Sequence, residues 1–251
     1  MSIAKLAIKF AVKTPKIEEF ERFLFVGPHP DDIEIGAGAT VYKLAKAGKK
    51  ITFLICTDGR FGDGASGGVK GDELAALREE ECIKSAKLLG VDDVRFLRLQ
   101  DGGMYEYGEL QAKLAKVVSE VKPEIIFAPD SYSKSECHED HLNAGNAAKS
   151  IACLAPYENL MLARFGVQGA PVEALALYMT ARPNRFVKVR GLLDKQFRAL
   201  FECHTSQYPE GSPEGESLKL YLKIRYYQYG CREGFRVYSK THMHCLPEAG
   251  E

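Results

Sequence analysis

The stretch "RFLFVGPHPDDIEIGAGAT", residues 22–40, runs through four consecutive apolar residues into a turn of Gly, Pro and Asp, then into a glycine-rich segment. A short apolar run with aromatic and β-branched members, bounded by Gly and Pro, reads as a buried strand. The turn sets His29, Asp31, Asp32 and Glu34 within six residues. The glycines read as the start of a helix behind the turn, near 37–47, where small residues allow close backbone packing.

Outward from this stretch the same alternation repeats. Residues 22–26, 51–57, 94–99, 124–129, 174–180 and 185–189 read as strands. Segments near 37–47, 73–89, 107–121, 140–154, 191–204 and 215–229 read as helices. Strands alternating with helices predict an α/β, Rossmann-like fold with a mostly parallel sheet flanked by helices. No repeat, low-complexity tract or linker divides the chain, so a single domain over 1–251 is expected. Ligands of such sheets bind beyond the carboxyl ends of the strands. The most chemically loaded segments all follow strands: "GPHPDD", "DGRFGDGASGG", "QDGGM" and "DSYSKSECHEDH". The active site is therefore expected at that edge.

Composition narrows the classes. Thirty-four basic residues balance thirty-four acidic ones, which argues against nucleic acid or an anionic membrane as the main partner. No run of about 18 apolar residues is present to span a bilayer. The N-terminal "MSIAKLAIKFAVK" is interrupted by Lys5 and Lys9 and reads as an irregular or helical lead-in rather than a signal peptide. Seven scattered cysteines without a C-x-x-C favour a reducing cytoplasm over a disulfide framework.

A His-x-x-Asp pair in a turn can aim an imidazole nitrogen and a carboxylate oxygen at one ion, and both are ordinary zinc donors. Neighbouring Asp31 and Asp32 point apart in an extended turn, so one can bind metal while the other faces a bound water. The same residues also suit a turn that caps the next helix. "CHEDH" adds His138 and His141, three apart at the start of a helix and hence on one face. A catalytic zinc takes three protein ligands and keeps one position open. His29, Asp32 and one of these two histidines would supply that number. Arg78 lies inside the apolar stripe Leu74, Leu77, Cys82, Ala86, Leu89, so it either snorkels or lines a pocket, with Asp101 expected nearby.

The ordered set "PHPDD", "TDG", "LREEE…AKLLGV", "LQDGG", "HEDH" and "HTSQ" resembles the LmbE-like (PIG-L) family of zinc-dependent N-acetylglucosaminyl deacetylases over about residues 22–238. Within it, "YMTARPNRFVKVRGLLDKQFRALFECHTSQYP" and "GFRV" look most like the diacetylchitobiose deacetylase branch. The resemblance implies Zn2+ held by His29, Asp32 and His141, with Asp31 as general base. It implies His138 as acid or electrostatic stabiliser, and Arg78 and Asp101 orienting substrate hydroxyls or active-site neighbours. The implied partner is a small N-acetylated sugar or glycoconjugate, cleaved to acetate and a free amine. A homo-oligomer follows only by analogy with related deacetylases. Two departures stand out: the family's H-P-D-H is His-Glu-Asp-His here, and Glu136 stands where thiol-pathway relatives have a tyrosine.

Two other readings stay open: a zinc amidohydrolase acting on another small amide, and a non-catalytic nucleotide-binding α/β module. The second would use "GDGASG" (62–67), which matches G-x-G-x-x-G but opens no helix directly; a loop at the pocket mouth fits better. His204 is equally a supporting or a purely structural histidine. Tyr105, Tyr107 and Tyr132 could stack on a sugar face or fill a core.

Overall fold

In a computed structural model, which describes residues 12–244, seven strands form one mixed sheet. They are β1 Arg22–Gly27, β2 Lys50–Thr57, β3 Asp93–Leu99, β4 Ile125–Pro129, β5 Ala174–Tyr178, β6 Arg185–Lys188 and β7 Arg232–Ser239, in the order β3-β2-β1-β4-β5-β7-β6. The first five in that order run parallel, while β7 is antiparallel to both β5 and β6. The helices are α1 Asp32–Lys46, α2 Gly71–Leu88, α3 Tyr107–Val121, α4 Glu139–Leu154, α5 Glu158–Phe165, α6 Leu193–Phe201 and α7 Pro213–Gln228. No helix among the described residues is long and apolar enough to cross a membrane.

The expected Rossmann-like order is present, with three differences. Helix α1 begins at Asp32, before the glycines. Strand β7 and the short α5 fall where no element is expected from the sequence. The lead-in at 1–11 lies outside the described residues.

Alternation along β1 explains the three layers. Phe23 and Phe25 face one core with Phe53 and Phe127, covered by α1, α2 and α6 through Ile33, Ala37, Val41, Cys82, Ala86 and Ala199. Leu24 and Val26 face the other core with Ile126, covered by α3 and α4 through Leu110, Leu114, Ala147 and Ile151. The rings of Phe25 and Phe127 stack at 4.3 Å across the β1–β4 pair. With both faces covered, the strands must be apolar throughout, as β1 is. The chain winds outward from β1 to β3 and returns to β4 on the opposite face. The strand order therefore reverses between β1 and β4, and a crevice opens at their carboxyl ends.

Helix α1 forms one wall of this crevice and is gripped from two sides. Gln196 Nε2 donates to the carbonyls of Glu34 and Ile35 at 2.8 and 3.2 Å, and the Glu233 carboxylate accepts from the amides of Ala39 and Thr40 at 3.2 and 2.7 Å. Gly36 and Gly38 leave room on this helix for the Tyr178 ring and the Gln196 side chain. A Cβ on Gly36 would lie 2.2 Å from the ring of Tyr178, a fully buried residue whose hydroxyl donates to the Val26 carbonyl at 2.8 Å. Gly36→Ala is expected to destabilise the fold by about 1–3 kcal/mol through overpacking. Urea denaturation checks it, and an unchanged midpoint would contradict this packing.

Candidate functional site

Loops after β1, β2 and β3 and the segment before α4 converge on the crevice. His29 lies between β1 and α1, and its imidazole is nearly enclosed, at 8 % exposure. Its Nε2 sits 3.1 Å from Asp101 Oδ1 and 3.2 Å from Asp140 Oδ2, and its Nδ1 sits 3.2 Å from Asp32 Oδ2. Asp32 Oδ2 also accepts the His29 backbone amide at 2.9 Å and lies 3.4 Å from His141 Nε2. The remaining nitrogen of His141, Nδ1, is 3.0 Å from Glu136 Oε2.

Glycine backbone completes the support. Gly102 and Gly103, at φ of 81° and 73°, present successive amides to Asp140 at 2.8 and 3.0 Å. Their left-handed geometry is open to glycine at little strain. Phe61 donates its amide to Asp101 Oδ2 at 3.0 Å. Both carboxylates behind His29 are thus held on a second side.

Asp31 has a different set of partners. Its φ of 136° lies where side chains are strained, at about 1–3 kcal/mol, a placement that marks functional turns. Its Oδ2 accepts the Tyr208 hydroxyl at 3.1 Å and lies 3.4 Å from Arg78 Nη2. Arg78, 4 % exposed, also donates to the Gly59 and Pro30 carbonyls at 2.8 and 3.1 Å.

The electrostatics separate the two adjacent carboxylates. Burial raises the Asp31 pKa, with Asp32 adding to the rise and Arg78 opposing it. Burial acts likewise on Asp32, but His141 and His29 outweigh it and hold that carboxyl well below the usual range. Burial disfavours the charged form of His29, yet its bonds to Asp101, Asp140 and Asp32 raise its pKa well above the ordinary value.

Two groups of donors could hold a metal ion, each with ligand atoms within 4.8 Å of one another: His29, Asp32 and His141, and His29, Asp101, His138 and Asp140. Zinc bonds of about 2.0–2.1 Å imply tetrahedral edges of roughly 3.3–3.4 Å. The separations of 3.2 Å (His29 Nδ1 to Asp32 Oδ2) and 3.4 Å (Asp32 Oδ2 to His141 Nε2) match that figure. Backbone amides reach carboxylates in both groups, Asp32 Oδ2 in the first and both Asp140 oxygens and Asp101 Oδ2 in the second. The carboxylates of the second group fit the role of orienting His29, because a ligand histidine usually turns its other nitrogen to a carboxylate. The first group therefore fits zinc, with both imidazoles backed in this way.

The structure brings His29, Asp31, Asp32, His138, His141, Arg78 and Asp101 into one crevice. His138 caps α4, its Nδ1 accepting the Asp140 amide at 3.3 Å, and its ring centroid is 4.7 Å from that of His29. Arg78 contacts Asp31, Gly59 and Pro30, and Asp101 contacts His29, Phe61 and Asp58. His204 is fully buried against Glu34 Oε1 at 3.3 Å. Residues 62–67 open no helix, since α2 starts at Gly71. Two contributors escaped the sequence reading, Asp140 and Tyr208, while Glu136 stood out there only as a departure from the family pattern and not as a partner of His141. Asp140 looks like an ordinary helix N-terminal acid, and only its burial at 0 % exposure distinguishes it.

Known proteins resemble the chain over this whole arrangement. A family model described as PIG-L, GlcNAc-PI de-N-acetylase, matches residues 24–152. The diacetylchitobiose deacetylase of Thermococcus kodakarensis is 30 % identical over 250 residues, covering 96 % of this chain and 92 % of that protein. A 1D-myo-inositol 2-acetamido-2-deoxy-alpha-D-glucopyranoside deacetylase of Kineococcus radiotolerans is 29 % identical, over 80 % of this chain and 60 % of that one. The structure of N,N'-diacetylchitobiose deacetylase from Pyrococcus horikoshii, in complex with its inhibitor MPG, superposes with a TM-score of 0.87 at 28 % identity and covers 98 % and 97 % of the two chains.

A pH signature follows for protein stripped of metal. Burial lowers the His141 pKa, but Asp32 outweighs this and pushes it up to about 9. A folded value above the unfolded one stabilises fully below the unfolded pKa of about 6.5, and that stabilisation is lost as pH rises through the folded value. Chelator-treated protein is expected to lose melting temperature as pH is raised from about 6.5 to 9, and His141→Ala is expected to lose less. Equal pH slopes for both proteins would contradict the His141–Asp32 pairing.

Proposed function

Because this chain belongs to the PIG-L, GlcNAc-PI de-N-acetylase family, we propose that it is a zinc-dependent N-deacetylase. Its substrate is an N-acetylglucosamine-type sugar or small glycoconjugate, hydrolysed to acetate and a free amine. The observation that carries the proposal is the convergence of His29 Nδ1, Asp32 Oδ2 and His141 Nε2 beside the separately oriented Asp31. The relatives named as deacetylases of acetamido sugars support the substrate class. The unbridged cysteines among the described residues support a cytoplasmic enzyme.

In this reading His29, Asp32 and His141 hold the zinc. When bound, zinc polarises the amide carbonyl and brings the pKa of a water down to about 7. Asp31 acts as general base, taking the proton of the attacking water on Oδ1, the oxygen that Tyr208 and Arg78 leave available. Its raised pKa suits that task, because a base is most effective when poised toward the working pH. His138 accepts the Asp140 amide at Nδ1, so the neutral ring carries its hydrogen on Nε2. That group is the donor for the carbonyl oxygen as it gains charge. Asp31, which then holds the proton taken from the water, returns it to the departing amine. Arg78 and Asp101 act through their neighbours, Arg78 on Asp31 and Asp101 on His29.

Elemental analysis combined with an amine-release screen over N-acetylated sugars tests the proposal. Stoichiometric zinc and release of acetate from an acetamido sugar are expected. Asp31→Asn is expected to keep its zinc and lose about 10²–10⁴-fold in kcat; full activity in that variant would remove Asp31 as the base. His141→Ala is expected to lose zinc, and unchanged metal content would overturn the ligand assignment.

A further inference from the structure

Tyr208 and Asp31 are 177 residues apart in the chain, yet the phenol hydroxyl donates to Asp31 Oδ2 at 3.1 Å. We propose that Tyr208 is a positioning residue for Asp31, held in place by a pinned strap, residues 204–208. The inference deepens the deacetylase reading and rests on it for its kinetic arm.

The strap follows α6 and is fastened at each successive position. His204 Nε2 meets Glu34 Oε1 at 3.3 Å. Thr205 Oγ1 and the Ser206 amide both donate to Glu81 Oε1, at 3.1 and 2.8 Å, and Ser206 Oγ donates to Glu81 Oε2 at 2.6 Å. Gln207 Nε2 donates to the Gly62 carbonyl at 2.8 Å. The Tyr208 amide donates back to the His204 carbonyl at 2.9 Å, and its ring packs edge-on against Phe201 with centroids 5.7 Å apart.

Helix α2 joins the two ends of this device. Arg78 and Glu81 are three residues apart on it and hence on one face. Arg78 reaches Asp31 Oδ2 while Glu81 fastens the strap that brings Tyr208 to the same oxygen. The Tyr208 hydrogen bond and the Arg78 ion pair both fall on Oδ2. Among the described residues Oδ1 has no hydrogen-bond partner, so the carboxylate is fixed by one oxygen and presents the other. A lone, strained aspartate on a turn would sample several rotamers. A hydrogen bond and an ion pair converging on one oxygen select one, and small misplacements of a catalytic group can cost up to about a hundredfold in rate.

The test combines crystal structures with kinetics of the full-length, zinc-loaded enzyme and its Tyr208→Phe variant. The structural arm needs no activity: a single Asp31 rotamer is expected in the parent and a rotated or multiply occupied carboxylate in Tyr208→Phe. In the kinetic arm, kcat is expected to fall about ten- to a hundredfold, with KM for the acetamido sugar and zinc content unchanged. Glu81→Gln is expected to lower kcat in the same direction, and the double variant should fall no further than Tyr208→Phe alone. An unmoved Asp31 with unchanged kcat overturns the proposal, as does a raised KM at unchanged kcat, which would make Tyr208 a substrate contact. If the parent itself releases no amine from any N-acetylated sugar, the deacetylase reading fails, and the Asp31 rotamer still decides the role of Tyr208.

Discussion

The imidazole of His29 is held between carboxylates on both of its nitrogens, and the rest of the site depends on that clamp. Asp101 follows β3, Asp140 lies in the first turn of α4, and Asp32 opens α1, so one ring ties together three separate parts of the sheet edge. Buried carboxylates are tolerated only when paired or bound to a cation. Asp31, Asp32, Asp101 and Asp140 are all buried, and Arg78 supplies one fixed positive charge among them. In the absence of metal the imbalance is met by protons on His29 and His141, which is why both pKa values are raised. A divalent cation can replace those protons, because metal binding and ligand deprotonation are coupled. The electrostatics and the donor spacing therefore point to the same occupant.

The clamp also accounts for the topology. A site assembled from the ends of β1, β3 and β4 needs those ends to lie side by side. The reversal of strand order at β1 and β4 brings this about. The glycines enter at two levels. Gly36 and Gly38 let Tyr178 and Gln196 approach α1, fixing the helix that carries Asp32. Gly102 and Gly103 turn the chain after β3 so that its amides reach Asp140.

What could be read from the residues depended on whether its cause was local. The parallel strands were legible because burial on both faces demands unbroken apolar runs, as in "FLFV" and "ITFLIC". The histidines and aspartates that could hold a metal stood out in the sequence because histidine is scarce and two motifs fall at strand ends. Strand β7 was not, since "REGFRVYS" mixes charge with apolar residues and pairs with β5 only through a distant antiparallel return. The start of α1 was misplaced because its first turn opens with Asp32, Ile33 and Glu34, which read as part of the polar turn, and the glycines follow inside the helix rather than starting it. Tyr208 and Asp140 were invisible for a different reason. Their partners are distant in sequence, and neither residue type is unusual where it stands.

Adjacent Asp31 and Asp32 come to play separate parts through the backbone rather than the side chains. A positive φ at Asp31 turns its carboxylate away from the direction taken by Asp32. Asp32 then meets two imidazoles, which favour its charged form, while Asp31 meets burial and a neighbouring negative charge, which disfavour it. The two adjacent carboxylates thereby differ in which protonation state their surroundings favour. The same separation would be hard to reach in a relaxed turn, where both groups would share one environment. The strain at Asp31 is offset by Arg78 and Tyr208, which hold the carboxylate once it has been turned. This explains why α2 and the segment after α6, neither of which contributes a metal donor, are nevertheless packed so tightly around the site.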